Sequence, residues 1–470
     1  MTAPAQWFII LQPSCPLSDP HMWTDGRDRL SLRYAIYEAL VRYGPDGRYQ
    51  PDLAAAWSVE EDAATWTFEI RKGVSFHNGA PLNAQAVVSS LDRARGPGLP
   101  GELGTTGLYR SYLGDAEVHA LDDSRVRVVT PAPMADLLDL LVEIPIVAPG
   151  DLAAGTGRYR VVEAHAGEVR MEAVRDHRDG TAAYPRLLWR AEPSEPRRLQ
   201  ALLDGEADVV AELFPEAQAA IAARNRGDFV VRQGKVAVVF MCNAAAGACV
   251  DVRVRQALNY ALDVPALIRD AVGGAAQPLN GPLTPRHFGH DPDTAPYPHD
   301  PARARALLTA AGYGNGLTLV IDIPTTHPDE APRLAELMAE QYIKVGVTVQ
   351  VKTFDDRPAY AEMVKAKRID DVCCFDSSPL STWRVLREKF HAGVRGSWWQ
   401  GYSNPQVDAL LDQATAVVDA DRRQALYRRA YRLIRDDAPW IFLYSPKLAW
   451  GLGSQAGNAE PGVDGAIRFM

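Results

Sequence analysis

The sequence has no stretch of about 18 or more apolar residues, so it offers nothing that reads as a membrane-crossing helix. It has no basic excess either: 50 Lys and Arg stand against 59 Asp and Glu, a formal net charge of -9. A protein that grips a nucleic-acid duplex needs the opposite balance, so no nucleic-acid partner is expected. Cysteine is scarce, with five in 470 residues and no CxxC pair, and the spacing gives no zinc pattern. There is no phosphate loop ending in Lys-Ser/Thr, no GxGxxG after a strand, no HExxH and no GxSxG elbow. "GTGRYR" at Gly155 has too few glycines for a dinucleotide site and leads into a strand. The carboxylate pairs Glu60-Glu61 and Asp122-Asp123 sit in polar turns and read as solvated. These absences lower the weight of an enzyme reading without closing it, and no cofactor and no metal are expected.

What remains is the composition of a soluble globular protein, 47% hydrophobic and 23% charged. At this length a single core is exceeded, and two or more lobes are expected. The start, "MTAPAQWFIILQ", has an apolar centre too short for a signal peptide and no preceding Lys or Arg, so it reads as a first strand. The protein is then either cytoplasmic or an exported chain shown without its signal.

Helical and strand patterns alternate. Residues 29–44, "RLSLRYAIYEALVRYG", read as an amphipathic helix stopped by Gly44. "TWTFEI", 65–70, alternates as a strand, Asn83 can cap the helix that follows it, and 125–129 alternates again. Residues 196–210, 300–324 and 332–354 each run helix, turn, strand. Such units argue for parallel or mixed sheets covered by helices. Residues 278–301, rich in proline, glycine and histidine, should form a long irregular surface loop. Its "HFGH" places His287 and His290 three apart in a helix-breaking segment, a poor metal pair. Cys242 and Cys249 flank "NAAAGA"; either a disulfide closes that loop or both are buried thiols. Adjacent Cys373 and Cys374 point to opposite faces of a strand and read as packing residues.

One stretch resists a bland reading. "DDVCCFDSSPLSTW", 370–383, carries an apolar strand directly into Asp376, Ser377 and Ser378. It is either a strand ending in a turn or a strand delivering a carboxylate to a ligand.

Four segments taken together carry a resemblance. They are "IYEALVRYGPDGRYQPDLAAAWSV" running to "WTFEIRKGVSFHNGAPLNAQAVVSSLDRA" (36–94), "GTGRYRVVEAHAGE" (155–168), "DVRVRQALNYALDVPALI" (251–268), and "GYSNPQVDALLDQA" with "RRQALYRRAYRLIRDDAPWIFLY" (401–444). In this order the chain resembles the family 5 solute-binding proteins of bacterial ABC importers, the dipeptide, oligopeptide, nickel and opine group. The resemblance implies an α/β fold of the two-lobe periplasmic-binding-protein type (cluster C), with a hinge of two crossing strands and an extra subdomain near 43–146. Lobe I would comprise 1–238 and 447–470, and lobe II 239–446. It also implies a monomer outside the cytoplasm that holds a small-molecule ligand between its lobes and hands it to the permease subunits of an ABC transporter. An aspartate after the corresponding strand resembles the one that pairs with a ligand ammonium, which makes Asp376, flanked by Phe375 and Ser377, the expected anchor. The relatives' Gly-Trp before that loop is replaced here by Cys374-Phe375, so the ligand need not be a peptide. Further ligand candidates are His21 and Trp23 after the first strand, Arg33 and Tyr34 in the first helix, Trp383 and Arg384 after the Asp376 loop, and Trp398 and Trp399. Aromatic rings can enclose an organic ligand and arginine can fork a carboxylate, whereas ordinary core packing is the alternative for each tryptophan. The competing functions are an enzyme using the cleft, with Asp376 as acid or base beside a serine, and a sensor or chaperone on the same fold.

Overall fold

The computed structural model describes residues 7–22, 27–44, 48–99, 108–326, 328–462 and 464–469. The chain separates into two compact units, 1–232 with 448–470 and 233–447. The chain therefore passes between units six residues before the position read from the sequence. Strand Ala237–Cys242, buried along its whole length, follows in the second unit. The return passage falls within one long strand, Trp440–Gly453.

In the first unit, Phe8–Gln12 pairs in parallel with Arg186–Ala191 on one side and Val209–Ala211 on the other. Antiparallel strands Glu168–Ala173 and Tyr159–His165 extend the sheet. Ile10, Leu32, Tyr159, Trp189 and Trp450 share its core. Residues 54–129 contain a separate antiparallel sheet, ordered Ala54–Val59, Thr65–Ile70, Arg125–Val129 and Glu117–Asp122. Helix Ala84–Arg95 belongs to this region, and Asn83 accepts the Ala86 N–H at 2.9 Å, the cap its sequence called for.

The first helix corrects the reading of 29–44. It spans only Arg27–Ile36, and Val41–Tyr43 is a strand paired with Tyr49–Pro51. The Ile36 carbonyl, which a longer helix would spend on Leu40, accepts the N–H of Gly157 at 2.9 Å. The backbone comes so close that a Cβ on Gly157 would lie 2.6 Å from the Ala35 carbonyl oxygen, and one on Gly155 2.1 Å from that of Ile36. The glycines of "GTGRYR" thus serve a backbone contact that ends a helix.

In the second unit, Leu317–Pro324 lies between Val347–Phe354 and Val372–Ser377, parallel to both. Ala237–Cys242 then joins antiparallel to Val372–Ser377, followed by the first part of Trp440–Gly453. The helix-turn-strand units build this sheet: Asp300 caps helix Pro301–Ala310 before Leu317–Pro324, and helix Ala331–Tyr342 precedes Val347–Phe354. Phe240, Leu258, Ile321, Met338 and Cys374 pack together, and Cys373 faces the other way. Segment 278–301 is irregular, as its composition suggested, but only its second half lies at the surface: Leu283, Thr284, His287 and Asp291 are buried, whereas most of 292–299 is exposed. All five cysteines are free thiols, and those of Cys242 and Cys249 are hydrogen-bonded to each other.

Candidate ligand site

In an open sheet with parallel strands, ligand-reading side chains gather beyond the carboxyl ends of those strands. In the second unit these ends are Pro324, Phe354 and Ser377. Strand Ala237–Cys242 runs the other way, and Ala237 pairs with Ser377, so its entry segment lies at the same end.

Asp376 is there, and it already faces a cation. Its carboxylate lies 3.5 Å from the guanidinium of Arg357, which opens helix Arg357–Lys365; their side chains are 28% and 9% exposed. The carboxylate that the sequence offered as a ligand anchor is thus also half of an ion pair. Ser377 is buried, and its hydroxyl accepts a hydrogen bond from the Lys389 ammonium at 2.8 Å. That ammonium also lies 4.8 Å from the centre of the Phe375 ring, within cation–π range. Trp398 packs on Phe375 with ring centres 4.7 Å apart. Both Ser377 and Lys389 are buried, so their bond ties strand to helix Thr382–Phe390 rather than poising a nucleophile beside a base.

The loop after the strand is held from below by His287, whose Nε2 donates to the Pro379 carbonyl at 2.8 Å. Its Nδ1 accepts the Thr284 N–H at 3.1 Å, which fixes the neutral tautomer. Burial first, and then the nearby ammoniums of Lys235 and Lys389, push the imidazole down to about 4 against the hydrogen bonds that favour its charge. Tyr444, on the neighbouring strand, donates to the Glu330 carboxylate at 2.7 Å.

The remaining candidates have contacts of their own. Trp383 and Arg384 are buried in the first turn of their helix, where the Arg384 N–H is capped by Ser381 Oγ. Trp399 donates to the Tyr402 carbonyl in a segment that Gln400 fastens to Ala244, beyond the opposite end of strand Ala237–Cys242. In the first unit His21 is buried with both ring nitrogens engaged: Nε2 donates to the Pro145 carbonyl at 2.9 Å and Nδ1 accepts from Arg93 at 2.7 Å. Burial is the leading reason that its imidazole drops to about 4. Arg33 donates to the Glu143 carbonyl at 2.7 Å, and Tyr34 has the guanidiniums of Arg33 and Arg468 within 4.9 and 4.1 Å of its ring centre. Trp23 lies outside the described residues. Residues the sequence reading did not single out, Lys235, Arg357 and Lys389, stand at or beside the strand ends; none carries a spacing signal.

Among the described residues one trio could hold a metal, Glu38, His177 and Asp179 in the first unit. Its chemistry favours something else. His177 Nδ1 accepts the Asp179 N–H at 3.2 Å, leaving the hydrogen on Nε2, which faces Glu38 at 3.3 Å. The Arg178 guanidinium bridges Glu38 and Asp52, supplying the cation that these carboxylates attract.

Residues 48–414 match the family described as bacterial extracellular solute-binding proteins, family 5 middle. The chain is 30% identical over 455 residues to the glutathione-binding protein GsiB of Pectobacterium atrosepticum, covering 92% of this chain and 86% of that protein. Among solved structures it superposes on HbpA2 from Haemophilus parasuis with a TM-score of 0.84 at 21% identity, covering 99% and 100% of the two chains. It superposes on the periplasmic binding protein DppA from Helicobacter pylori, in complex with the peptide STSA, with a TM-score of 0.79 at 22% identity over 99% and 98%. At those identities the two superpositions concern the fold.

Proposed function

The chain belongs to the bacterial extracellular solute-binding proteins of family 5 and is a substrate-binding protein of the ABC-transporter type; on that premise we propose that its solute is a small peptide-like zwitterion. It would be held at the carboxyl end of the second unit's parallel strands. The supporting observation is the row Phe375, Asp376, Ser377, which brings an aromatic face, a carboxylate and a lysine-bound hydroxyl to one strand end. A zwitterion supplies the complementary charges, and the GsiB relative is named for glutathione, a peptide with one ammonium and two carboxylates. In this reading Asp376 meets the ligand ammonium in competition with Arg357, and Phe375 and Trp398 bound the ligand's apolar part. The protein acts as a monomer outside the cytoplasm, performs no chemistry on its solute and passes it to permease subunits.

The test is a melting screen of the purified protein with glutathione, di- and tripeptides and opines, followed by calorimetry on any that bind. A ligand at about 100 times its Kd adds roughly 2.7 kcal/mol to stability, which a melting curve resolves as a few degrees. If no zwitterion in the panel raises the melting temperature, the proposed ligand class is wrong. Mass spectrometry of the gently denatured protein then identifies what it carries instead.

A further inference from the structure

Three mutually parallel strands of the first unit end at Gln12, Ala191 and Ala211. The loop after Gln12 therefore lies at the end where an open sheet of parallel strands meets a ligand. This loop is pinned twice. At its start the Asp28 carboxylate accepts from the Ser14 N–H and from its hydroxyl, both at 2.7 Å, and Gln12 Nε2 donates to the Ser14 carbonyl at 2.7 Å. Its far end is held by helix Ala84–Arg95, which belongs to the region of the separate antiparallel sheet. Arg93 grips the Asp19 carboxylate with both terminal nitrogens, at 2.9 Å for Oδ1, and one of them also donates to His21 Nδ1 at 2.7 Å. One turn earlier on the same helix, Ser90 Oγ donates at 3.2 Å to the Pro145 carbonyl that accepts from His21 Nε2. Between the two pins Leu17 and Ser18 are exposed.

Neighbouring arginines on this helix are used differently. Arg95 spends its guanidinium locally, on Asp92 and on the carbonyls of Leu113 and Gly114 at 3.4 and 3.3 Å. Every side-chain hydrogen bond of Arg93 among the described residues goes instead to Asp19 and His21, 74 and 72 residues away in sequence. The bidentate grip fixes an orientation as well as a charge. His21 can accept from a guanidinium only as a neutral ring, and its burial keeps it neutral.

We propose that Arg93 is a positioning residue for solute binding: from the helix of the 54–129 region it holds the loop after the first strand in the conformation that meets the solute. This rests on the proposed function above and gives that region a task in it. Arg93 and His21 act through the loop, by setting where Leu17 and Ser18 stand. With the latch broken the loop samples other conformations, and apparent affinity falls in proportion to the fraction that stays competent.

The experiment compares wild type with Arg93→Met, which keeps the stem and deletes the charge, with Asp19→Asn, and with the double variant. The first measurement is amide hydrogen exchange without ligand. The N–H groups of His21 and Met22 donate to Asp19 Oδ1 and to the Asp19 carbonyl, both at 3.0 Å. In Arg93→Met they should exchange about tenfold or more faster, while strands 65–70 and 186–191 keep their wild-type rates. The second measurement is calorimetric binding of reduced glutathione, glycylleucine and octopine. Any probe that wild type binds should bind Arg93→Met about tenfold more weakly, as for a loop that is competent about one-tenth of the time. That probe at saturation should return protection to His21 and Met22, because it selects the held loop. Asp19→Asn opens the same latch, so the two losses of affinity should not add in the double variant. Unchanged exchange at His21 and Met22, faster exchange spread through the whole unit, additive losses, or affinity within about threefold of wild type would each overturn the assignment of Arg93 while leaving the zwitterion reading intact. Should Arg93→Met fail to fold, Asp19→Asn decides by the same exchange and binding measurements. If wild type binds none of the probes, the proposed function fails and this inference with it.

Discussion

His287 should make the second unit acid-sensitive, and the size of the effect follows from its surroundings. In the folded protein its imidazole is held neutral at about 4, against an ordinary value of 6.5. A histidine depressed in the folded state binds protons more weakly than it does when unfolded. Its contribution is therefore complete above about pH 6.5 and is lost as pH falls toward 4. The full difference corresponds to about 3.4 kcal/mol at 1.36 kcal/mol per unit. By pH 5 about 2 kcal/mol of it is gone. The structural cause is specific. A second ring proton would put a charge on a fully buried ring, and that charge would lie near the ammoniums of Lys235 and Lys389. In a unit of 150–250 residues, 1 kcal/mol moves Tm by about 2–4 °C, so the shift between pH 7 and pH 5 should be about 4–8 °C. Other groups titrate over the same interval, and His287→Gln separates them, because its amide can still donate to the Pro379 carbonyl but cannot be protonated. At pH 7 the variant should be the less stable protein, and by pH 5 the gap should close or reverse. Scanning calorimetry of both proteins at half-unit steps measures this. Parallel loss of stability in wild type and variant from pH 7 to pH 5 would refute the reasoning, as would a His287 ring that titrates near 6.5 by NMR.

Two further outcomes can be read with simple assays. The Arg357–Asp376 pair is partly exposed, so Asp376→Asn and Arg357→Met should each cost about 1–2 kcal/mol without ligand, with a coupling of about 0.5–1 kcal/mol in the double-mutant cycle; strict additivity in urea melts would show that the two charges do not interact. The Cys242 and Cys249 thiols are hydrogen-bonded to each other and buried, and the Cys249 thiol is pushed up by that bond and by burial, so alkylation of the native protein should be slow and unfolding without reductant should release five reactive thiols; a count of three would mean that the pair is oxidised to a cystine.

Much of the local structure was legible because its causes are local. Asn83 and Asp300 cap helices through contacts three residues away, and the alternation of 65–70 places its apolar residues on one face. The apolar run 372–375 followed by Asp376 and Ser377 marked the end of a buried strand, and that strand does carry polar groups to the carboxyl edge of a parallel sheet. Family membership was readable in the same way, from the order of segments along the chain. Other features needed the folded chain. Periodicity continued the first helix to residue 44, but Gly157, more than a hundred residues away, claims the carbonyl that the next turn required. Segment 278–301 looked solvated by composition, yet it buries His287 and Asp291 because Pro379 and Arg432 supply their partners. Trp398 and Trp399 are neighbours in sequence, and only the fold sends one to Phe375 and the other to the Tyr402 carbonyl. Arg93 and Arg95 stand two apart in an unremarkable "LDRAR". Which of them meets a distant carboxylate depends on what the fold brings beside the helix, since charge pairing is a property of distance in space and the sequence specifies only distance along the chain.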